Sequence, residues 1–144
     1  MFKSAIAICE IGLFVIAAGN FVLAAVPIST IQSWRDAATD VVSITVLSID
    51  QKTSTKPLVG SDGSVTTYDI SLTARVDVVD RSANGLTPQT TIIVHYDAQY
   101  YEPVPPPGGN YGTILKINQK AKAYLKKNGN EYRLAGSIGC LEKL

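Results

Sequence analysis

The chain has 144 residues, 46% of them hydrophobic and 17% charged, with a formal net charge of +1. That length fits one domain, the low charge density excludes a solvating tail, and the near-neutral total lacks the basic footprint of a duplex-DNA binder. A mean hydropathy of +0.14 points to an apolar segment, and it lies at the N-terminus.

Residues 1–25 (MFKSAIAICEIGLFVIAAGNFVLAA) carry Lys3, an apolar run from Ile11 to Ala18, and Val22-Leu23-Ala24 ahead of Pro27. This is the layout of a cleaved secretory signal, and the uninterrupted run is shorter than the roughly 20 residues of a membrane span. Glu10 interrupts the apolar stretch, so an uncleaved anchor is the competing reading. The expectation is a signal peptide over 1–25, a domain over 26–144, and a secreted or periplasmic location. Cleavage would remove Cys9 and leave Cys140 as the only cysteine. That excludes a disulfide scaffold and a CxxC site; Cys140 then reads as a small buried side chain, as a link between chains or as a reactive thiol.

Ser29 and Gln32 have capping-box spacing, with Ile31, Trp34 and Ala38 at helical intervals behind them. Val41 to Asp50 is rich in β-branched residues, with Val42, Ile44 and Val46 on one face, whereas the polar stretch from Lys52 to Ser64 reads as a loop or hairpin tip. Val65 to Val79 is the clearest strand. Tyr68, Ile70, Leu72, Ala74, Val76 and Val78 alternate with polar residues, so one face is buried and one wet. A strand of this length bends, and coiling into a barrel is a common outcome.

Asp80 to Gly85 supplies a turn, and Thr90 to Asp97 the next strand, apolar on both sides at Ile92, Ile93 and Val94. The prolines of Gln99 to Tyr111 (QYYEPVPPPGGNY) argue against regular strand there. Lys120 to Lys126 alternates again, and Asn128-Gly129-Asn130 turns the chain into a last strand from Glu131 to Ile138. The expected fold is mainly β, a small five-stranded barrel with one short N-terminal helix.

The order of these segments resembles the netrin-like (tissue inhibitor of metalloproteinases-like) branch of the oligonucleotide/oligosaccharide-binding, or OB, fold. The resemblance covers roughly residues 36–138. It is carried by DAATDVVSITV at Asp36 to Val46, by the long strand at Tyr68 to Val78, by Thr91 to Tyr96, and by LKINQKAKAYL at Leu115 to Leu125. Inhibitor members of that family chelate a protease zinc through a cysteine at the mature N-terminus. Here the mature chain would start near Ala25 or Val26, so that chemistry does not carry over. The resemblance implies an exported OB-type domain that binds something.

His95 is the only histidine, and Asp97 shares its strand face, the geometry of an acid–base or metal pair. One imidazole and one carboxylate fall short of the four ligands of a structural zinc site. With no GxSxG and no phosphate loop, the sequence points to a non-enzymatic protein without metal or cofactor. Two features suit binding. Tyr100, Tyr101 and Tyr111 bracket the proline stretch, where rigid aromatics make good anchors or pack back onto the sheet. Lys120, Lys122, Tyr124 and Lys126 form a basic face with an aromatic among them. Such faces hold single strands or anionic glycans in OB folds, and lysines on an edge strand also guard against aggregation.

The charges are uneven: residues 26–115 hold five basic and nine acidic groups, residues 116–144 seven and two. The expected partner is a protein or an anionic glycan. Export argues against nucleic acid, and membrane contact is expected only through an uncleaved N-terminus. The alternative function is a structural or assembly subunit of a surface or envelope complex that retains its hydrophobic N-terminus.

Overall fold

The computed structural model describes residues 26–60, 62–103 and 111–144. The signal-peptide expectation for 1–25 lies outside the described residues, as does the proline run at 104–110. The described chain is mainly β. It comprises α1 (Ile28–Ala37), β1 (Asp40–Pro57), β2 (Ser64–Ser82), β3 (Thr91–Glu102), β4 (Lys120–Asn128), β5 (Glu131–Leu134) and β6 (Leu141–Lys143).

The pairing order is β1-β2-β3-β5-β4-β6, and β1 also pairs with β4. All pairings are antiparallel except β3 with β5, which is parallel and spans only Val94↔Tyr132 and His95↔Arg133. The first residues of β1, from Asp40 to Thr45, thus lie between β2 and β4. Beyond them, from Leu47 to Pro57, β1 pairs with β2 alone among the described strands.

The alternating side chains build the core as the sequence implies. Val42, Ile44, Val46, Leu72, Ala74, Val76, Val94, Ala121, Ala123 and Leu125 are fully buried, each contributing about 1–3 kcal/mol of transfer free energy according to size. Leu115, from the β3–β4 connection, joins them.

Five expectations are corrected. The polar stretch after Lys52 is strand as far as Pro57 and again from Ser64, so the hairpin tip is confined to residues 58–63, closed by Leu58 N–H donating to the Gly63 carbonyl at 2.9 Å. Thr53 and Thr55 favour this extended backbone, and Thr55 and Thr66 share a hydroxyl hydrogen bond of 2.9 Å across it. Gln99 to Glu102 continue β3, because Val65 to Thr67 of β2 supply a partner that the prolines further on do not disturb.

Val78 is 52% exposed and Val79 packs on the core instead. The register with β1 skips Asp77 and Asp80 of β2, and these extra residues shift the inward phase, as bulges do. The strand expected from Glu131 to Ile138 ends at Leu134, and a sixth strand, β6, follows on β4.

The capping box is not formed. Pro27 is the N-cap with no side-chain bond, and Gln32 Nε2 donates to Asp36 Oδ1 at 2.8 Å. The helix is held by what lies beneath it. A Cβ on Gly136 would come within 2.2 Å of the Trp34 ring, and one on Gly139 within 2.7 Å of Ile31. Two side-chain-free positions therefore seat the apolar stripe read from the sequence.

Candidate functional site

On the outer face of the sheet, side chains from four strands fall into rows. The β pairings align Asp50, Ser71, His95 and Arg133 in one row and Lys52, Asp69 and Asp97 in the next. Three clefts meet along these rows. One of 180 Å³ runs between β3 and the segment after β5, lined by His95, Asp97, Arg133 and Ser137. The second, of 300 Å³, shares Asp97 and Ser137 with it and continues to Gln99 and Tyr111. The third, of 170 Å³, joins at His95 and reaches Ser71, Asp69, Asp50 and Lys52. Their shared residues make them one trough along the outer side of β3.

His95 forms the hinge point of this trough, and Nε2 is in contact with Glu131 Oε2. The carboxylate that engages His95 is thus Glu131, from the start of β5; Asp97 stays exposed one strand position away. Chain separation hid this contact, since only the parallel β3–β5 pairing brings residue 131 to residue 95. Asp69 and Ser71 were missed because their outward direction was legible but their neighbours across strands were not. Gln99 and Ser137 lay in segments whose strand bounds the sequence misjudged, and Arg133 depends on the β3–β5 pairing.

The predicted tyrosines divide between two faces. Tyr100 points inward, its ring edge-on to Tyr68 with centroids 5.6 Å apart, and packs against the core. Tyr101 and Tyr111 meet on the other side, centroids 6.2 Å apart at 64°, and the Tyr101 hydroxyl donates to Gln99 Oε1 at 3.2 Å. Tyr111 is laid along β3 by paired backbone bonds with Gln99 of 2.7 and 2.8 Å. Gly112 permits that approach: its φ of +85° and a would-be Cβ only 3.0 Å from Ala98 leave no room for a side chain.

The lysine face differs from the free strip its alternation implies. Lys122 Nζ pairs with Asp80 Oδ2 at 2.9 Å, and that hydrogen bond holds its ammonium pKa above the ordinary value. Tyr124 lies beneath Arg35, whose guanidinium is 4.8 Å from the ring centre. Arg35 in turn donates from Nε to the Gly139 carbonyl at 2.8 Å and pairs with Glu142. Only Lys120 and Lys126 of the predicted set stand exposed. In the pairing order β5 stands between β3 and β4, so the tyrosine group and this face lie on strands that do not pair with each other.

Cys140 is fully buried, and burial raises its thiol pKa above the ordinary value. Among the described residues, no group of three or more His, Cys, Asp or Glu side chains is placed to hold a metal ion. A scan of protein-family models and searches of curated proteins and of solved structures find no match to this chain.

Proposed function

We propose that this protein is an exported, non-enzymatic binding module of OB type that takes an extended segment of a partner protein along the outer side of β3. The observation that carries this reading is the continuity of the three clefts through His95, Asp97 and Ser137. In OB folds the face of strands 2 and 3 is the usual ligand platform. A five-stranded closed barrel is favoured by the pairings themselves, which pass from β1 through β2, β3, β5 and β4 and return to β1. The parallel β3–β5 contact suits that topology.

Export is favoured by the residue pattern of 1–25, and the absence of a nucleophile motif favours binding over catalysis. A protein partner suits the trough better than an anionic glycan does. Asp50, Asp69 and Asp97 outnumber Lys52 and Arg133 along the clefts, so an incoming polyanion would meet more carboxylates than cations. The lysine face, the other place for a glycan, has its central cation and aromatic already engaged.

The test is selection of displayed peptides against the purified protein, with the contact surface mapped by amide NMR shifts. Shifts are expected at His95, Asp97, Gln99 and Tyr111. Tyr111→Ala and Asp97→Lys should each weaken a selected peptide by roughly tenfold, as truncation of an anchor does. Shifts confined to Lys120–Lys126 would move the site to the lysine face, and hydrolysis of the peptides abolished by His95→Ala would overturn the non-enzymatic reading.

A further inference from the structure

We propose that the free edge of β1, from Ser48 to Lys56, pairs antiparallel with the same edge of a second copy across a twofold axis at Thr53, with Pro57, which has no N–H, outside the bonded row. This edge is the longest stretch of strand that has a partner on one side only among the described residues. An unpaired row of backbone donors and acceptors is a template for another strand. Thr53 and Thr55 favour extended backbone, and the Thr55–Thr66 hydroxyl bond ties the ribbon to β2.

The sequence is complementary to itself about Thr53. A twofold there pairs residues whose numbers sum to 106, so Asp50 of each copy stands opposite Lys56 of the other. Asp50 and Lys56 lie on the same strand face, six positions apart, and neither has an ion pair among the described residues. The same register brings Leu47, 41% exposed, beside the turn that carries Val59, which is fully exposed. Two of the molecule's few exposed large apolar side chains then cover each other at both ends of the contact.

Lysines on an edge ordinarily repel a second strand. Here Lys56 meets a carboxylate across the axis, and Lys52 already sits opposite Asp69 of β2. The symmetric contact is isologous and therefore stops at two copies. It would set the β1–β2–β3 portions of the two sheets side by side and the two outer troughs on one continuous surface.

Sedimentation velocity of the purified full chain over a range of concentrations tests this. A concentration-dependent monomer–dimer equilibrium is expected. Asp50→Lys or Lys56→Asp alone places like charges opposite each other twice and should weaken the dimer by roughly tenfold or more. The double swap Asp50→Lys/Lys56→Asp should restore it. Circular dichroism confirms that each exposed-site variant keeps its β signal. A protein that stays monomeric, a dimer indifferent to the single reversals, or a double variant that stays dissociated would each overturn the proposal. Sedimentation reads the dimer with no peptide present, and Lys56 lines none of the clefts whereas Asp50 does, so Lys56→Asp separates this reading from peptide binding at the β3 trough.

Discussion

Asp40 shows how much one side chain holds in place. It is fully buried at the start of β1 and accepts bonds from Thr39 Oγ1 at 2.8 Å, Ser82 Oγ at 2.5 Å and Asn84 Nδ2 at 2.6 Å. Burial pushes its pKa up, but the hydrogen bonds from Ser82, Asn84 and Thr39 outweigh burial and hold it below the ordinary 3.8. The acidic residue ahead of the first strand was visible in the sequence; its partners Ser82 and Asn84, more than forty residues on, were not.

A lowered folded pKa means that the carboxylate's contribution to stability is complete above its unfolded pKa. It fades as pH falls through the folded value. Acid unfolding of the wild type should therefore include a component that Asp40→Asn lacks. Asp40→Ala should cost about 1–2 kcal/mol in urea unfolding at neutral pH, since half-buried Ser82 and the exposed Thr39 and Asn84 lose their shared acceptor.

At the scale of the element, alternation reads faces well until a bulge intervenes. Val42, Ile44 and Val46, and Ile70 through Val76, are buried in the expected phase. Val78 is not, because the unpaired Asp77 of β2 hands its place to Val79. Nothing in residues 76–79 (VDVV) marks Asp77 as the residue that the pairing with β1 skips. Val79→Ala should lower stability by about 1–2 kcal/mol, whereas Val78→Ala should stay within about 0.5 kcal/mol; equal losses would refute the phase shift. The ribbon from Lys52 to Pro57 escaped the sequence for a related reason. It has no apolar face to mark it, and its strand character comes from pairing with β2.

At the scale of the whole molecule, the sequence revealed which residues point outward and hid which strands lie side by side. His95 and Tyr111 were recognisable candidates, yet the trough that links them depends on Tyr111 returning to Gln99 and on β5 reaching β3. That second meeting also governs how the molecule opens. Neighbouring hairpins such as β1–β2 and β4–β5 can form early from local contacts, while β3 and β5 are joined by two residue pairs across about forty residues of chain. Contacts so few and so distant in sequence form late and break first.

The His95–Glu131 contact is then a latch on the least protected line of the sheet, and a ligand lying along β3 would cross it. In native-state hydrogen exchange, Glu131→Gln should speed exchange of the amides at His95 and Arg133 while leaving Leu72 and Ile92 unchanged; uniform acceleration would refute a local latch. A bound partner would slow the same two amides most of all. Occupancy of the outer face would thereby be felt as stiffness along the β3–β5 seam.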